Sequence, residues 1–299
     1  MRDFVIVSDS CCEMYENERK QFGVDYLPMY LAFDDKEARA SIDWEDISEK
    51  EYYGILRKGT RIFTSQVPSI DYKNCFEKYV KQGYDILSIS TSSGLSASVK
   101  ASYVARDEVL EQYPEAKIVC VDSLICSFGL YILCRYTSNL KRGGKTIEEV
   151  ATAVEELKMN VNQIGTVDDL NILKMAGRVS ASAAFFGSLL KIKPIIISNE
   201  KGENVSVEKL NGRVKSLRRL AELIASRYTG KVDDEIFIAH ADCEEDAKIV
   251  KEFTLEQKPH AKVTVRHIGP IVGGSCGPGM IGAYFVGETR ETYDKQKEE

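Results

Sequence analysis

Hydrophobic positions along the chain cluster into short runs rich in β-branched residues, at Phe4 to Val7, Ile86 to Ile89, Lys117 to Val121, Lys193 to Ile197, Glu235 to Ala239 and Lys262 to His267. Apolar runs of this length, bounded by polar segments, predict strands. Between them apolar residues recur at helical spacing over Asp71 to Lys81, Ser98 to Gln112, Thr146 to Lys158 and Arg213 to Arg227. A three-to-four-residue repeat puts those side chains on one face of a helix. The alternation of strand and helix predicts an α/β protein. At 299 residues the chain exceeds the usual single core of about 100–150 residues, which favours two domains. The Lys141-Arg142-Gly143-Gly144-Lys145 turn and the helix opening at Thr146 place the boundary near residue 160. The expected layout is an N-terminal parallel-sheet α/β domain over 1–160, a C-terminal α+β or α/β domain over 161–289, and a charged tail over 290–299.

In parallel sheets the loops leaving the carboxyl ends of strands gather along one edge. Three such loops here are rich in hydroxyls: Ser8-Asp9-Ser10, Thr91-Ser92-Ser93-Gly94-Leu95-Ser96, and Asp122-Ser123. Any one of them reads most simply as a helix cap, and recurrence after three strands favours a site. A fourth polar stretch, Thr64-Ser65-Gln66, is followed by Val67-Pro68, where the proline disfavours helix at Val67 and keeps the loop extended. Two neutral hydroxyl clusters converging on a small acid group can donate hydrogen bonds without the desolvation cost of burying a lysine.

Composition narrows the function classes. With 43% hydrophobic and 29% charged residues and a net charge of −6, the chain has no basic excess to neutralise phosphates, which argues against nucleic acid. The opening Met-Arg-Asp runs straight into Phe4-Val5-Ile6-Val7 without a signal-peptide pattern, so a cytoplasmic location is expected. No run approaches the roughly 18–20 apolar residues of a membrane span. The eight cysteines form no C-x-x-C pair and sit mostly in apolar runs, and the three histidines are scattered, so no metal site is expected. Neither a G-x-x-x-x-G-K-[ST] loop nor a G-x-G-x-x-G turn after the first strand is present, so no nucleotide cofactor is implied.

A serine hydrolase is the competing enzyme reading. Gly273-x-Ser275-x-Gly277 matches the nucleophile-elbow pattern, and His240 and Asp242 lie upstream. The α/β-hydrolase order needs a histidine after the serine, and none follows Ser275; Pro278 also interrupts the helix such an elbow requires.

Taken in order, Ser8-Asp9-Ser10, Thr64-Ser65-Gln66 with Pro68, Ser92-Ser93-Gly94-Leu95-Ser96, Val121-Asp122-Ser123, Asp168-Asp169-Leu170 leading to Gly177-Arg178, Phe186 to Ile195, and Gly277-Pro278-Gly279 resemble the DegV family over nearly the whole chain. Its members are fatty-acid-binding subunits of the bacterial fatty acid kinase system. The resemblance implies a non-catalytic lipid-binding protein that holds a long-chain fatty acid between its two domains. It would present the carboxyl group to a partner fatty acid kinase for acyl-phosphate formation in phospholipid metabolism. A transient encounter with a membrane surface fits that role, and a carrier or sensor without kinase competence is the alternative.

By the same resemblance Thr64 and Ser96 hold the acyl carboxylate, with Ser92 and Ser93 as second candidates, and Ala97 stands where the family's motif has glycine. Ser275 stands where the family carries a histidine that contacts the head group. Serine can hydrogen-bond a carboxylate but cannot shuttle a proton near neutral pH as imidazole does. Arg178 matches the arginine after the family's glycine, at the head group or facing the partner. Arg213 heads a basic stripe with Lys215, Arg218 and Arg219 that would either dock an acidic partner or form a solvated face. Phe185, Phe186, Leu189, Leu190, Ile195 and Ile271 are the candidate tunnel wall.

Overall fold

A computed structural model of the chain describes residues 2–33, 36–179 and 192–291. The first half is built on β1 (Phe4–Asp9), β2 (Val24–Leu27), β6 (Asp85–Ser90) and β7 (Ile118–Asp122), in the order β2-β1-β6-β7 and parallel throughout. Every residue of β6 and all but one of β1 are buried. That is the signature of a parallel sheet covered on both faces, and it is why these strands read as continuous apolar runs. After α1 (Glu16–Phe22) and α2 (Glu49–Arg57), the covering helices are α3 (Ser69–Lys81), α4 (Ser98–Gln112), α5 (Phe128–Arg142) and α6 (Ile147–Leu157). Helix α6 starts where the sequence requires it: the Thr146 hydroxyl accepts from the Glu149 amide while the Glu149 carboxylate accepts from the Thr146 amide. A small antiparallel sheet, β4-β3-β5, made of β3 (Tyr30–Phe33), β4 (Lys36–Arg39) and β5 (Phe63–Ser65), was not expected from the sequence.

From Val161 onward the chain forms a second, six-stranded sheet in the order β10-β9-β8-β13-β11-β12. Its strands are β8 (Val161–Thr166), β9 (Ile192–Ser198), β10 (Asn204–Asn211), β11 (Glu235–His240), β12 (Lys262–His267) and β13 (Ile281–Val286). Only β11 and β12 pair in parallel; the other neighbours are antiparallel. The fold is therefore α/β with one parallel and one mixed sheet. Helices α8 (Arg213–Arg227) and α9 (Glu244–Gln257) cover one face of the mixed sheet over a core that includes Ile195, Leu217 and Leu220. The other face packs on the first half of the chain. There Phe128 of α5 stacks on Phe237 of β11, with ring centroids 5.2 Å apart.

The two halves are joined by buried polar contacts. Arg135 bridges Asp233 and Glu235, and Arg266 forks onto Glu18. Glu13, left-handed at φ 54° and almost wholly buried, accepts from the Gly269 amide and the Ser127 hydroxyl. Arg290, expected to open a charged tail, is instead buried: its guanidinium donates to the carbonyls of Leu124, Asn199 and Lys158 and to the Ser198 hydroxyl. Among the described residues no helix is long and apolar enough to cross a membrane.

Candidate functional site

Where the two halves meet, a cavity opens to the surface. Its outer chamber, about 440 Å³, lies between the stretch Leu56 to Thr64, helix α7 (Leu170–Ala176) and the short helix α10 (Pro270–Cys276). A narrower inner chamber of about 60 Å³ continues from it, and Thr64, Arg178 and Ser275 line both. Ser96, Leu173, Ile271 and Val272 complete the part of the inner wall that matters for an amphipathic ligand. Thr64 and Ser275 thus stand at the junction, and the inner wall sets the Ser96 hydroxyl beside apolar side chains.

Each hydroxyl is positioned by its own element. Thr64 lies on β5 opposite Leu31 of β3. Ser96 lies in the turn before α4, and its Oγ accepts from the Ser98 amide at 3.2 Å and lies 3.0 Å from Ser98 Oγ. Ser98 Oγ in turn accepts from the Val67 amide at 3.2 Å. Ser98, wholly buried, therefore ties the Thr64 loop to the Ser96 turn. Sequence reading missed it, although the Ser-x-Ser spacing at 96 and 98 was visible. Ala97 sits at φ −84°, so alanine in place of glycine carries no backbone cost here.

Helix α10 brings Ser275 to the chamber because several groups clamp it. Tyr52 and Tyr53 donate to the carbonyls of Pro270 and Ile268 at 2.5 and 3.0 Å. The helix can approach this closely only because residues 273 and 274 are glycines. A Cβ on either would come within 2.3 or 2.5 Å of a tyrosine hydroxyl. Ser275 Oγ itself donates to the Ile271 carbonyl at 3.1 Å. No hydrolase triad forms around it: His240 is buried against His267, and burial with that second imidazole lowers its pKa to about 4.

Arg178 follows Gly177, whose φ of +69° ends α7 and turns the chain back to the cavity. Its guanidinium is exposed at the mouth and donates to the Ala176 carbonyl. Arg61, which sequence reading did not single out, lines the same outer chamber and donates to the Met175 carbonyl at 2.9 Å.

Other candidates lie elsewhere. Ser92 is buried and donates to the Gly202 carbonyl at 2.8 Å, pinning the β9–β10 turn to the first half of the chain. Ser93 is exposed, with its amide on Asp122, and lines neither chamber. Arg213 is occupied by Asp246 and by the Gly279 carbonyl, so it secures the Gly-Pro-Gly turn from behind the cavity. Two more residues of its stripe are likewise engaged within the chain, Arg219 by Glu208 and Glu222, and Arg218 by Phe253 and Glu256. The Asp9 carboxylate accepts from Thr91 and Cys11, and Ser8 and Ser10 bond main-chain groups, so that first cluster is structural. Of the expected tunnel wall, Ile271 lines the inner chamber and Ile195 belongs to the core under α8. Phe185, Phe186, Leu189 and Leu190 lie outside the described residues. No group of three or more His, Cys, Asp or Glu is placed to hold a metal among the described residues.

Comparison with known proteins adds to this geometry. A family model described as "Uncharacterised protein, DegV family" matches residues 3–288. The chain is 38% identical over 291 residues to the DegV domain-containing protein CPE0026 of Clostridium perfringens, covering 97% of this chain and 100% of that one. Its structure is similar to that of DegV, a fatty acid binding protein from Bacillus subtilis, at 27% identity and a TM-score of 0.80 over 96% of this chain and 100% of the other. The fatty acid binding DegV family protein SAG1342 from Streptococcus agalactiae shares the fold at 22% identity and a TM-score of 0.85, with coverage of 97% and 100%.

Proposed function

The chain belongs to the DegV family, and on that premise we propose that it binds a long-chain fatty acid without chemistry of its own. The carboxylate is held by Thr64 and Ser96, with Ser275 beside them, and the tail runs inward along Leu173, Ile271 and Val272. The observation that carries this reading is a single inner chamber in which the Thr64, Ser96 and Ser275 hydroxyls meet the apolar Leu173, Ile271 and Val272. Each methylene moved out of water contributes about 0.8 kcal/mol. The hydroxyls fix which end of the acid stays near the mouth.

Lipid extraction and native mass spectrometry of the purified protein test it. A co-purifying fatty acid, or uptake of added palmitate or oleate, is expected; neither would end the proposal. Ser96→Ala and Thr64→Val each remove one hydrogen bond to a charged group. Each should weaken palmitate binding about 10- to 100-fold.

Presentation to a partner fatty acid kinase is the finer part of the proposal, and the exposed Arg61 and Arg178 at the mouth support it as the surface a kinase would meet. Ser275 offers no imidazole, which favours slow phosphoryl transfer in this chain. With a fatty acid kinase supplied, Ser275→His is expected to raise acyl-phosphate formation about 10-fold or more. Equal rates would show that the imidazole is not needed. No acyl phosphate from either protein would leave a carrier.

A further inference from the structure

Resting on the binding reading above, we propose that Ser98, itself outside the cavity wall, fixes the direction of the Ser96 hydroxyl proton and so makes the site select a carboxylate over a neutral head group on the same chain. Ser98 lines neither chamber and is wholly buried as the first residue of α4. Ser96, two residues earlier, lines the inner chamber and is half-buried. Ala97 between them has no side chain able to cap the helix, and the Ser96 hydroxyl takes that place.

The direction follows from a count of donors and acceptors. A serine hydroxyl has one proton to give and two lone pairs to receive. Ser98 Oγ accepts from the Val67 amide at 3.2 Å and lies 3.0 Å from Ser96 Oγ, and among the described residues it has no other hydrogen-bond partner. If Ser96 gave its proton to Ser98, the Ser98 proton would be buried without an acceptor, which is the costlier arrangement. Ser98 therefore donates to Ser96. Ser96 Oγ also accepts from the Ser98 amide at 3.2 Å, so both of its lone pairs are filled by one residue. Its own proton is what it has left to offer, and it offers it to the chamber that Ser96 lines.

A hydroxyl in this state gives a hydrogen bond and cannot receive one. A carboxylate only accepts, and suits it. A primary alcohol must also place a proton of its own, and at Ser96 it meets a filled oxygen. Two donors turned onto Ser96 Oγ polarise its O–H and strengthen the bond it gives to a charged group. Removing the Ser98 hydroxyl frees one lone pair on Ser96, where an alcohol can then donate.

The full-length protein, stripped of lipid, is offered palmitate and 1-hexadecanol together from phosphatidylcholine vesicles in alkaline buffer, and the bound lipids are extracted and counted by mass spectrometry. The palmitate-to-hexadecanol ratio should fall about 3- to 10-fold in Ser98→Ala, the worth of one neutral hydrogen bond gained by the alcohol. Ser98→Cys fills the same space with a much weaker donor; it should lower the ratio likewise, and it serves if the alanine variant does not fold. Because the ratio is taken within each variant, a general loss of affinity cancels. Ser98 also holds the Val67 amide, so the same substitution is made in a Ser96→Ala background, where it should leave the ratio unchanged. An unchanged ratio in the folded Ser98 variant overturns the inference. An equal fall in both backgrounds also overturns it, by showing that Ser98 acts through the Thr64 loop. If the wild-type protein takes up no palmitate, the binding reading itself falls and this inference with it.

Discussion

Glu13→Ala is expected to lower the stability of this protein by about 2–5 kcal/mol, because it takes from two buried donors the acceptor they share. The Gly269 amide and the Ser127 hydroxyl both end on Glu13, at 2.8 and 3.1 Å. A Cβ on Gly269 would lie 2.4 Å from Glu13 Oε2, so the fit leaves no room for a substitute side chain or for water. Burial, opposed by those two hydrogen bonds and by Arg266, pushes the Glu13 carboxyl from 4.5 up to about 8.

The sign of the pH effect follows. Between about 4.5 and 8 the folded chain keeps a proton that the unfolded chain releases. The stabilisation is therefore complete below the lower value and is lost as pH rises through the upper one, by at most about tenfold in the folding equilibrium per pH unit. His240 acts in the opposite sense. Its depressed pKa costs stability as pH falls through the acid range. Urea unfolding of wild type and Glu13→Gln across pH 5 to 9 isolates the glutamate, since His240 contributes equally to both. The wild type should lose stability relative to Glu13→Gln as pH rises; parallel curves would refute the assignment.

Arg290→Met should be comparably damaging, at about 3–5 kcal/mol, since it leaves several buried acceptors unpaired at once. The guanidinium reaches Leu124 from the first half of the chain, Asn199 and Ser198 from the β9 end, and Lys158 from the connection between halves. Its own amide donates to the Met159 carbonyl at 2.9 Å. Arg290→Lys keeps the charge but not the planar fork, and should recover only a minor part of the loss. A urea unfolding free energy for Arg290→Met within about 1 kcal/mol of wild type would show that water replaces the guanidinium here.

All six strands and four helices expected from the hydrophobic pattern are present, because each buries one face, or both, in a way its own residues declare. The elements that were missed lack that declaration. Helix α5 opens with seven buried residues in a row, Phe128 to Cys134, and its charged residues gather in its second half, so its first two turns do not separate from a buried strand. Strand β4 is Lys-Glu-Ala-Arg and largely exposed. Strand β13 is broken by Gly282, whose role is space on a sheet surface. In the cavity wall, Thr64 and Ser96 were singled out by their hydroxyl-rich stretches together with the resemblance to the DegV family. Arg61 and Glu13 were not, because nothing near them in the chain announces their partners: Glu13 meets Gly269 across 256 residues, whereas Ser98 stood at a visible spacing from Ser96.

By itself the sequence determined the alternation of strand and helix and the hydroxyl-rich loops suited to an acid group, since local periodicity and residue chemistry are properties of neighbours in the chain. Only the tertiary structure decided which hydroxyls share a wall. It gave Ser92 and Arg213 to the framework, placed Ser275 beside Thr64, and buried Arg290. Those outcomes depend on sheet register and on contacts between distant segments, where a shift of one residue turns every side chain to the opposite face.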